Sequence, residues 1–401
     1  MRQRQYGQAT AAPALTTVAA APCGPRRRTR FAAIAALALA GGAVSPAPSA
    51  APPARLGGGE AARGSLPVAV FGSDDRVGVP ARLLALKEKI GLLFSQRSRL
   101  VCTAFCVAPN VVATAGHCLY RTRGEHAPPL ADFWFARNFA GKRQFERIAG
   151  SSRSAAAQHV MAGSMNLNVR PPIDASKDWA LVRLSRPACD RGALPVRALS
   201  MQAIIAEAAA GRVFQVSYHR DFKPWRLAYS QPCSVAHSFA AADWAAIAAD
   251  FADPTQLLLH TCDTGGASSG SPLLLQSAEG VAVIGINVGT YVQSKVLMED
   301  GRVTKRLEAA EVANTAVNSS AFAGKLTTFR QAAILTSADE IRALQVALKL
   351  RALYPGTIDG AYGADLRSAI EAYEGAQDLP VTGLATKTLL QRLNGRPLQR
   401  P

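Results

Sequence analysis

CDTGGASSGSPLLL, residues 262–275, runs the most flexible backbone of the chain straight into an apolar stretch. Gly265, Gly266, Gly270 and three serines precede Leu273, Leu274 and Leu275, which read as a buried strand. Glycine and serine at that density mark a turn. A turn that leads directly into core is held rigidly. Rigid backbone beside a serine hydroxyl is what a nucleophile needs when nearby N–H groups must stabilise developing negative charge.

The strand after this turn is one of many. LVCTAFCV stops at Pro109-Asn110 and VVATA follows; WALVRL, RVFQVSY, QLLLH and VAVIGINVG repeat the pattern between residues 98 and 320. Ser277-Ala278-Glu279-Gly280 separates two of these runs and reads as a hairpin turn. Many short strands without alternating long helices predict a mainly β unit, a sandwich or a barrel. The alanine-rich stretch 239–251 reads as a short helix inside it.

A base and a carboxylate lie upstream of the serines. His117 sits in VVATAGHCLY just after a predicted strand, and Asp178 opens DWALVRL just before another. Asp174 is close by but lacks the apolar strand behind it. Acyl transfer at neutral pH needs a nucleophile, a base to take its proton, and a carboxylate to hold that base in one tautomer.

With TAGHC, DWALVRL and SSGSP in this order, residues 95–320 resemble the trypsin-like serine proteases of the chymotrypsin fold, in their bacterial form. The resemblance implies a two-barrel domain with His117 as general base, Asp178 as its orienting carboxylate and Ser269 as nucleophile. It implies an oxyanion hole from the backbone N–H groups of Ala267 and Ser269. It also implies a disulfide between Cys102 and Cys118, which have the spacing of the family's histidine loop.

Two positions depart from the family pattern. Ala267 stands where relatives carry glycine, so the oxyanion hole is expected to be imperfectly formed, because glycine reaches backbone conformations that cost alanine free energy. Ser268 stands where the animal digestive enzymes have aspartate, so activation by pairing with a newly cut N-terminus is not expected. Asp263, six residues before Ser269, lies where trypsin-type enzymes place a pocket carboxylate and is a specificity-pocket candidate that implies a preference for basic residues, although the same Asp-Thr pair looks structural in bacterial relatives; Asn287 and Gly289 in GINVGT are candidates for the pocket edge. That stretch holds no histidine, which argues against a glutamate preference.

The chain has 401 residues and seven cysteines, one of them, Cys23, in an N-terminal leader. The leader runs from Arg26, Arg27, Arg28 and Arg30 through an apolar stretch, Phe31 to Val44, to small residues and prolines. This is the layout of an export signal, too short in its apolar part for a membrane span. Six cysteines remain in an exported chain, which predicts disulfides. Cys233 and Cys262 flank predicted strands near the site and are expected to pair, leaving Cys106 with Cys189. There is no CxxC pair, and the other histidines lack metal-like spacing, so no metal or cofactor is expected.

The formal charge is +17; six arginines and no acidic residue lie in residues 1–50, so the rest is nearer +11. A basic exported chain is drawn to anionic envelope polymers rather than to nucleic acid.

Residues 337–394 have a different period. Ser337 and Glu340 form a capping box, and Ile341, Leu344 and Leu348 share one helical face. Leu366, Ile370 and Tyr373 mark a second helix, and Leu389, Leu390 and Leu393 a third. With IRALQVALKL, YPGTIDGAYG, IEAYEGAQDLPVTG and TLLQRL in order, this unit resembles the three-helix peptidoglycan-binding domain of cell-wall hydrolases. Tyr354, Asp359, Tyr362 and Arg367 are its candidate wall-contacting residues.

The expected division is therefore an export signal over 1–50, a lead-in and the start of the catalytic domain over 51–94, the peptidase domain over 95–320, a linker over 321–336 and the helical domain over 337–394. The expected function is an exported serine endopeptidase of the periplasm, cell wall or extracellular space, with polypeptide substrates, tethered to peptidoglycan. Truncating the tether is expected to leave activity intact. The alternative is a non-catalytic wall-binding protein on a decayed protease scaffold. A membrane span after signal cleavage is not expected.

Overall fold

The computed structural model describes residues 69–395, apart from 96, 121–128, 140–144, 151–157, 169, 224, 239–243 and 300–301. Of Ala246, 292–299 and 302–312 only the backbone is described. The predicted leader with Cys23, residues 51–68 of the lead-in, and His126 fall outside the described residues.

The strands are β1 (Val77–Gly78), β2 (Ile90–Ser95), β3 (Leu100–Ala108), β4 (Val111–Thr114), β5 (Phe133–Arg137), β6 (Glu146–Arg147), β7 (Val160–Ala162) and β8 (Ala180–Arg183). There follow β9 (Val213–Tyr218), β10 (Leu227–Ser230), β11 (Val235–Ala236), β12 (Leu257–His260), β13 (Pro272–Ser277), β14 (Gly280–Glu299) and β15 (Arg302–Asn318). They build two curled antiparallel sheets, each a half-barrel. One has the order β6-β5-β2-β3-β4-β8-β7, the other β1-β10-β9-β13-β14-β15-β12-β11.

The expected runs are the strands of these sheets. Leu273, Leu274 and Leu275 of β13 are almost wholly buried, as an uninterrupted apolar run requires when both faces are covered. Ser277 pairs with Gly280 across the predicted hairpin turn. IGLLFS, within the expected lead-in, forms β2 at the centre of the first sheet. The histidine and aspartate motifs sit side by side because β4 pairs with β8, Thr114 opposite Ala180. The serine turn enters β13, at the centre of the second sheet.

Helix α1 (Met201–Ala209) was not legible as a helix, although Ser200 caps it by accepting from the Ala203 N–H at 3.2 Å. Helix α2 (Trp244–Ala249) is the one expected in the alanine-rich stretch. Helix α3 (Ala323–Gln331) fills most of the segment expected to be a linker, and Phe322 and Phe329 at its ends are fully buried. These aromatic side chains need cover, so the connection packs instead of spanning.

The C-terminal unit is α4 (Ala338–Lys349), α5 (Ala364–Ala376) and α6 (Lys387–Leu393). The capping box at Ser337 and Glu340 is made in both directions. Ile341, Leu344, Leu348, Leu366, Ile370, Leu389 and Leu393 form the buried faces. Among the described residues, no helix is long and apolar enough to cross a membrane.

Candidate active site

His117 lies in a single 3-10 turn, Gly116–Cys118, straight after β4. A disulfide from Cys118 to Cys102 ties that turn to β3. Asp178 ends a 3-10 turn just before β8. Its Oδ2 is 2.7 Å from His117 Nδ1, and its Oδ1 accepts the His117 backbone N–H at 2.8 Å. The glycine at 116 lies close to the carboxylate: a Cβ there would be 3.2 Å from Asp178 Oδ1. With Nδ1–H donating to Asp178, the tautomer that this pairing favours leaves Nε2 as a base. Burial pushes the His117 pKa down, but the Asp178 charge and hydrogen bond outweigh it, and the pKa is raised. Asp174, the competing carboxylate, accepts from the Asn168 N–H at 3.0 Å and stabilises its own loop.

The serine turn is held from three directions. The Thr103 hydroxyl donates to the Ala267 carbonyl at 2.8 Å, and the Thr103 N–H donates to the Ser269 carbonyl at 2.9 Å. The Asn287 amide donates to the carbonyl and hydroxyl of Ser268, both at 3.3 Å, and its own backbone carbonyl accepts from Gly270 N–H at 2.7 Å. Gly270, at φ 82°, presses on the end of β4: a Cβ there would sit 2.1 Å from Thr114 Oγ1 and 2.9 Å from Ala115 N. This close approach brings the serine turn against the strand that carries His117.

With the Ala267 and Ser269 carbonyls tied to Thr103, their N–H groups find no acceptor among the described residues. Ala267 has φ 83°, the positive region that the family's glycine occupies freely. The alanine therefore adopts the orientation it was expected to resist, and Thr103 is one of the contacts that keep it there. The Ser269 hydroxyl makes no hydrogen bond to His117; on its Nε2 side the ring has Cys118 Sγ at 3.9 Å.

Two specificity candidates have other duties. Asp263 is 2 % exposed, and its carboxylate accepts the backbone N–H groups of Phe71 and Asp75, both at 2.9 Å. It anchors the N-terminal segment at Phe71 and Asp75. Asn287 is buried and clamps the serine turn, with its Oδ1 3.1 Å from His260 Nε2. Gly289 alone remains half-exposed, with only Thr315 Oγ1 near the space a Cβ would take, at 3.6 Å. Thr103, central to the turn, carried no signal in sequence, because its partner Ala267 lies 164 residues away.

The six cysteines form three disulfides, Cys102–Cys118, Cys106–Cys189 and Cys233–Cys262. His117 and His260 each lie close to one of these pairs, but sulfur held in a disulfide offers no thiolate to a metal ion.

In the helical unit, Tyr354 is buried and donates to Thr357 O at 2.8 Å, and the buried Tyr362 donates to Gly383 O at 2.5 Å. Asp359 stays exposed but accepts from Gln345 Nε2 and the Ala361 N–H, both at 2.8 Å. Arg367 pairs with Glu371 at 2.7 Å and donates to the carbonyl of Ala162 on β7. The two tyrosines and Arg367 are thus committed within the chain, which leaves Asp359 as the one of the four that faces solvent.

Residues 102–286 match the family model described as a trypsin-like peptidase domain, and residues 337–393 match that of a putative peptidoglycan binding domain. Among solved structures, a Glu endopeptidase in complex with MPD is similar at 16% identity and TM-score 0.44, covering 65% of this chain and 99% of that one. The protease Anisep from Arthrobacter nicotinovorans is similar at 15% identity and TM-score 0.37, covering 59% of this chain and 94% of that one. A comparison with curated proteins finds no match.

Proposed function

We propose that this chain, which joins a trypsin-like peptidase domain to a peptidoglycan-binding-type domain, is an exported serine endopeptidase held at the cell wall. The observation that carries the reading is the pairing of His117 Nδ1 with Asp178 Oδ2 at 2.7 Å, beside a serine turn two of whose N–H groups have no acceptor among the described residues. The Ser269 hydroxyl oxygen attacks the scissile carbonyl carbon while His117 Nε2 takes its proton. Asp178 keeps Nδ1–H in place and stabilises the imidazolium that forms. The N–H groups of Ala267 and Ser269 receive the oxyanion. His117 then returns the proton to the leaving amine, and water repeats the sequence to release the acyl group.

Several features support the outer steps. Three disulfides and the wall-binding-type domain fit an extracytoplasmic setting. The missing Ser269–His117 hydrogen bond is compatible with catalysis, since such contacts commonly tighten only in the substrate complex. A decayed scaffold would be favoured by an alanine unable to form the oxyanion hole, but Ala267 holds positive φ.

The decisive experiment is labelling with a fluorophosphonate. The wild-type chain should label, Ser269→Ala should not, and Ser268→Ala and Ser271→Ala should retain labelling. An unlabelled wild-type chain would overturn the peptidase reading. Wall attachment is read by pelleting with purified sacculi at rising salt; binding that vanishes in high salt is charge attraction alone.

A further inference from the structure

We infer that the helical module is a working part of the peptidase, with Arg367 as a positioning residue that fixes the strand carrying Asp178. The inference rests on the peptidase reading and is the alternative to the expectation of an independent tether.

β8 starts two residues after Asp178, and its outer neighbour β7 is the edge of the first sheet. Gly163 N–H donates to Trp179 O and Arg183 N–H to His159 O, so in this register Ala162, opposite Ala180, turns its carbonyl away from β8. Among the described residues, no further strand lies on that side. An edge carbonyl needs a donor, and Arg367 of α5 supplies it. The guanidinium is in turn oriented by Glu371, one helical turn on, at 2.7 Å.

Both ends of the Asp178 strand are held in the same way. Trp179, the residue after Asp178, lies with its ring 6.0 Å from Phe322 at the start of α3. At the far end of β8, the Arg183 guanidinium sits 5.2 Å from the Phe329 ring and donates to the carbonyls of Phe329 and Ala332, closing the end of α3. The histidine side is covered as well: Tyr120, three residues past His117, is buried and feels the charge of Arg367. A single hydrophobic core runs from β4 and β8 through Phe322 and Phe329 into α4, α5 and α6. The strand that Asp178 leads into is therefore packed at both ends against residues 322–332, around α3, through which the core continues into the helical module.

The test uses the full chain with Arg367→Ala and the conservative Arg367→Lys. The first readout is independent of turnover: an NMR titration of the His117 ring. Asp178 is the charge that faces His117, so a loosened Asp178 lets the titration midpoint fall toward the ordinary histidine value in Arg367→Ala and recover in Arg367→Lys. The second is hydrolysis of a small soluble ester, where kcat should fall by roughly tenfold with KM unchanged, since small misplacements of catalytic groups act on the chemical step. Unchanged titration and unchanged kcat in a folded Arg367→Ala chain would overturn the inference. If Arg367→Ala does not fold, Glu371→Gln, which frees the guanidinium without removing it, must give a smaller shift of the same sign, or the inference fails. A wild-type chain that neither labels nor hydrolyses defeats the peptidase reading, while the His117 titration still decides the coupling.

Discussion

The hydroxyl of Thr103 donates to the carbonyl of Ala267 at 2.8 Å and accepts the N–H of Tyr218 at 3.1 Å, so one side chain of the first sheet orients the turn of the second. Thr103→Val keeps the shape and removes both bonds. Each buried group left without a partner costs about 1–3 kcal/mol. The expected outcome is a stability loss of about 2 kcal/mol in denaturant titration. Turnover should fall as well, by less than the ~10²–10³ that loss of a whole oxyanion donor costs. Stability that falls with turnover intact would show that Thr103 does not aim the Ala267 N–H.

Ala267→Gly removes a methyl group from a residue at φ 83°. A non-glycine residue in the left-handed region is strained by roughly 1–2 kcal/mol. Glycine's added freedom costs roughly 0.5–1 kcal/mol in regular structure. The strain relieved outweighs the freedom gained, so Ala267→Gly should raise thermal stability slightly and leave turnover equal or higher. A lower melting temperature would mean that Thr103 and the burial around the turn have already relieved the strain.

What the sequence made legible, and what it hid, follows the range of each interaction. His117, Asp178 and Ser269 stood out because each sits in a local pattern of turn and strand. The strands were legible from apolar runs, and the three C-terminal helices from their period and the Ser337 capping box. A structural role for Asp263 was one of its two readings, but its partners and the duty of Asn287 were not legible, because they are fixed only by folding: the Asp263–Phe71 bond spans 192 residues. Helix α3 was hidden because its weak amphipathic pattern resembles a polar connection, and only the burial of Phe322 and Phe329 explains it. Tyr354 and Tyr362 looked like ligand-facing aromatics in loops, whereas their hydroxyls close the loops themselves.

Asp263→Ala separates anchoring from specificity. Removing the carboxylate leaves the N–H groups of Phe71 and Asp75 without their acceptor. The expected result is a loss of about 2–4 kcal/mol from two such groups, with no selective change in the ratio of kcat/KM for arginyl and other substrates. A selective loss of cleavage after basic residues at unchanged stability would restore Asp263 to the substrate pocket.

The disulfides should divide stability from activity. Cys102–Cys118 spans 16 residues and Cys106–Cys189 spans 83. Loop-closure entropy then gives about 3 kcal/mol for the shorter loop and more, about 4–5, for the longer. Replacing Cys106 and Cys189 together by alanine should cost more stability. Replacing Cys102 and Cys118 should cost more turnover, because that bond ties the His117 turn to β3. The opposite ranking of turnover would show that the histidine turn is held mainly by Asp178.

Acid should destabilise the fold before it protonates most carboxylates. Burial holds the pKa of His260 down at about 4 against the opposing hydrogen bond to Asn287. Burial, then the charge of Arg183, holds His159 at about 4, and burial, then Arg76, holds His219 at about 3. A histidine whose folded pKa is lowered gains its proton first in the unfolded chain. Its contribution is therefore present above about pH 6.5 and lost as pH falls toward about 4, at about 1.4 kcal/mol per pKa unit. His117 has the opposite sign: its pKa is raised, so its contribution is present below about pH 6.5 and lost as pH rises through the folded value. Three groups outweigh one, and denaturant titrations should show stability dropping between about pH 6.5 and about pH 4. His260→Gln should flatten that drop. The acid limb of kcat/KM, set by His117, should lie above the ordinary histidine value in the wild-type chain and stay there in His260→Gln. A limb that moves with His260→Gln would mean that the clamp on Ser268, and not the His117–Asp178 pair, governs activity at low pH.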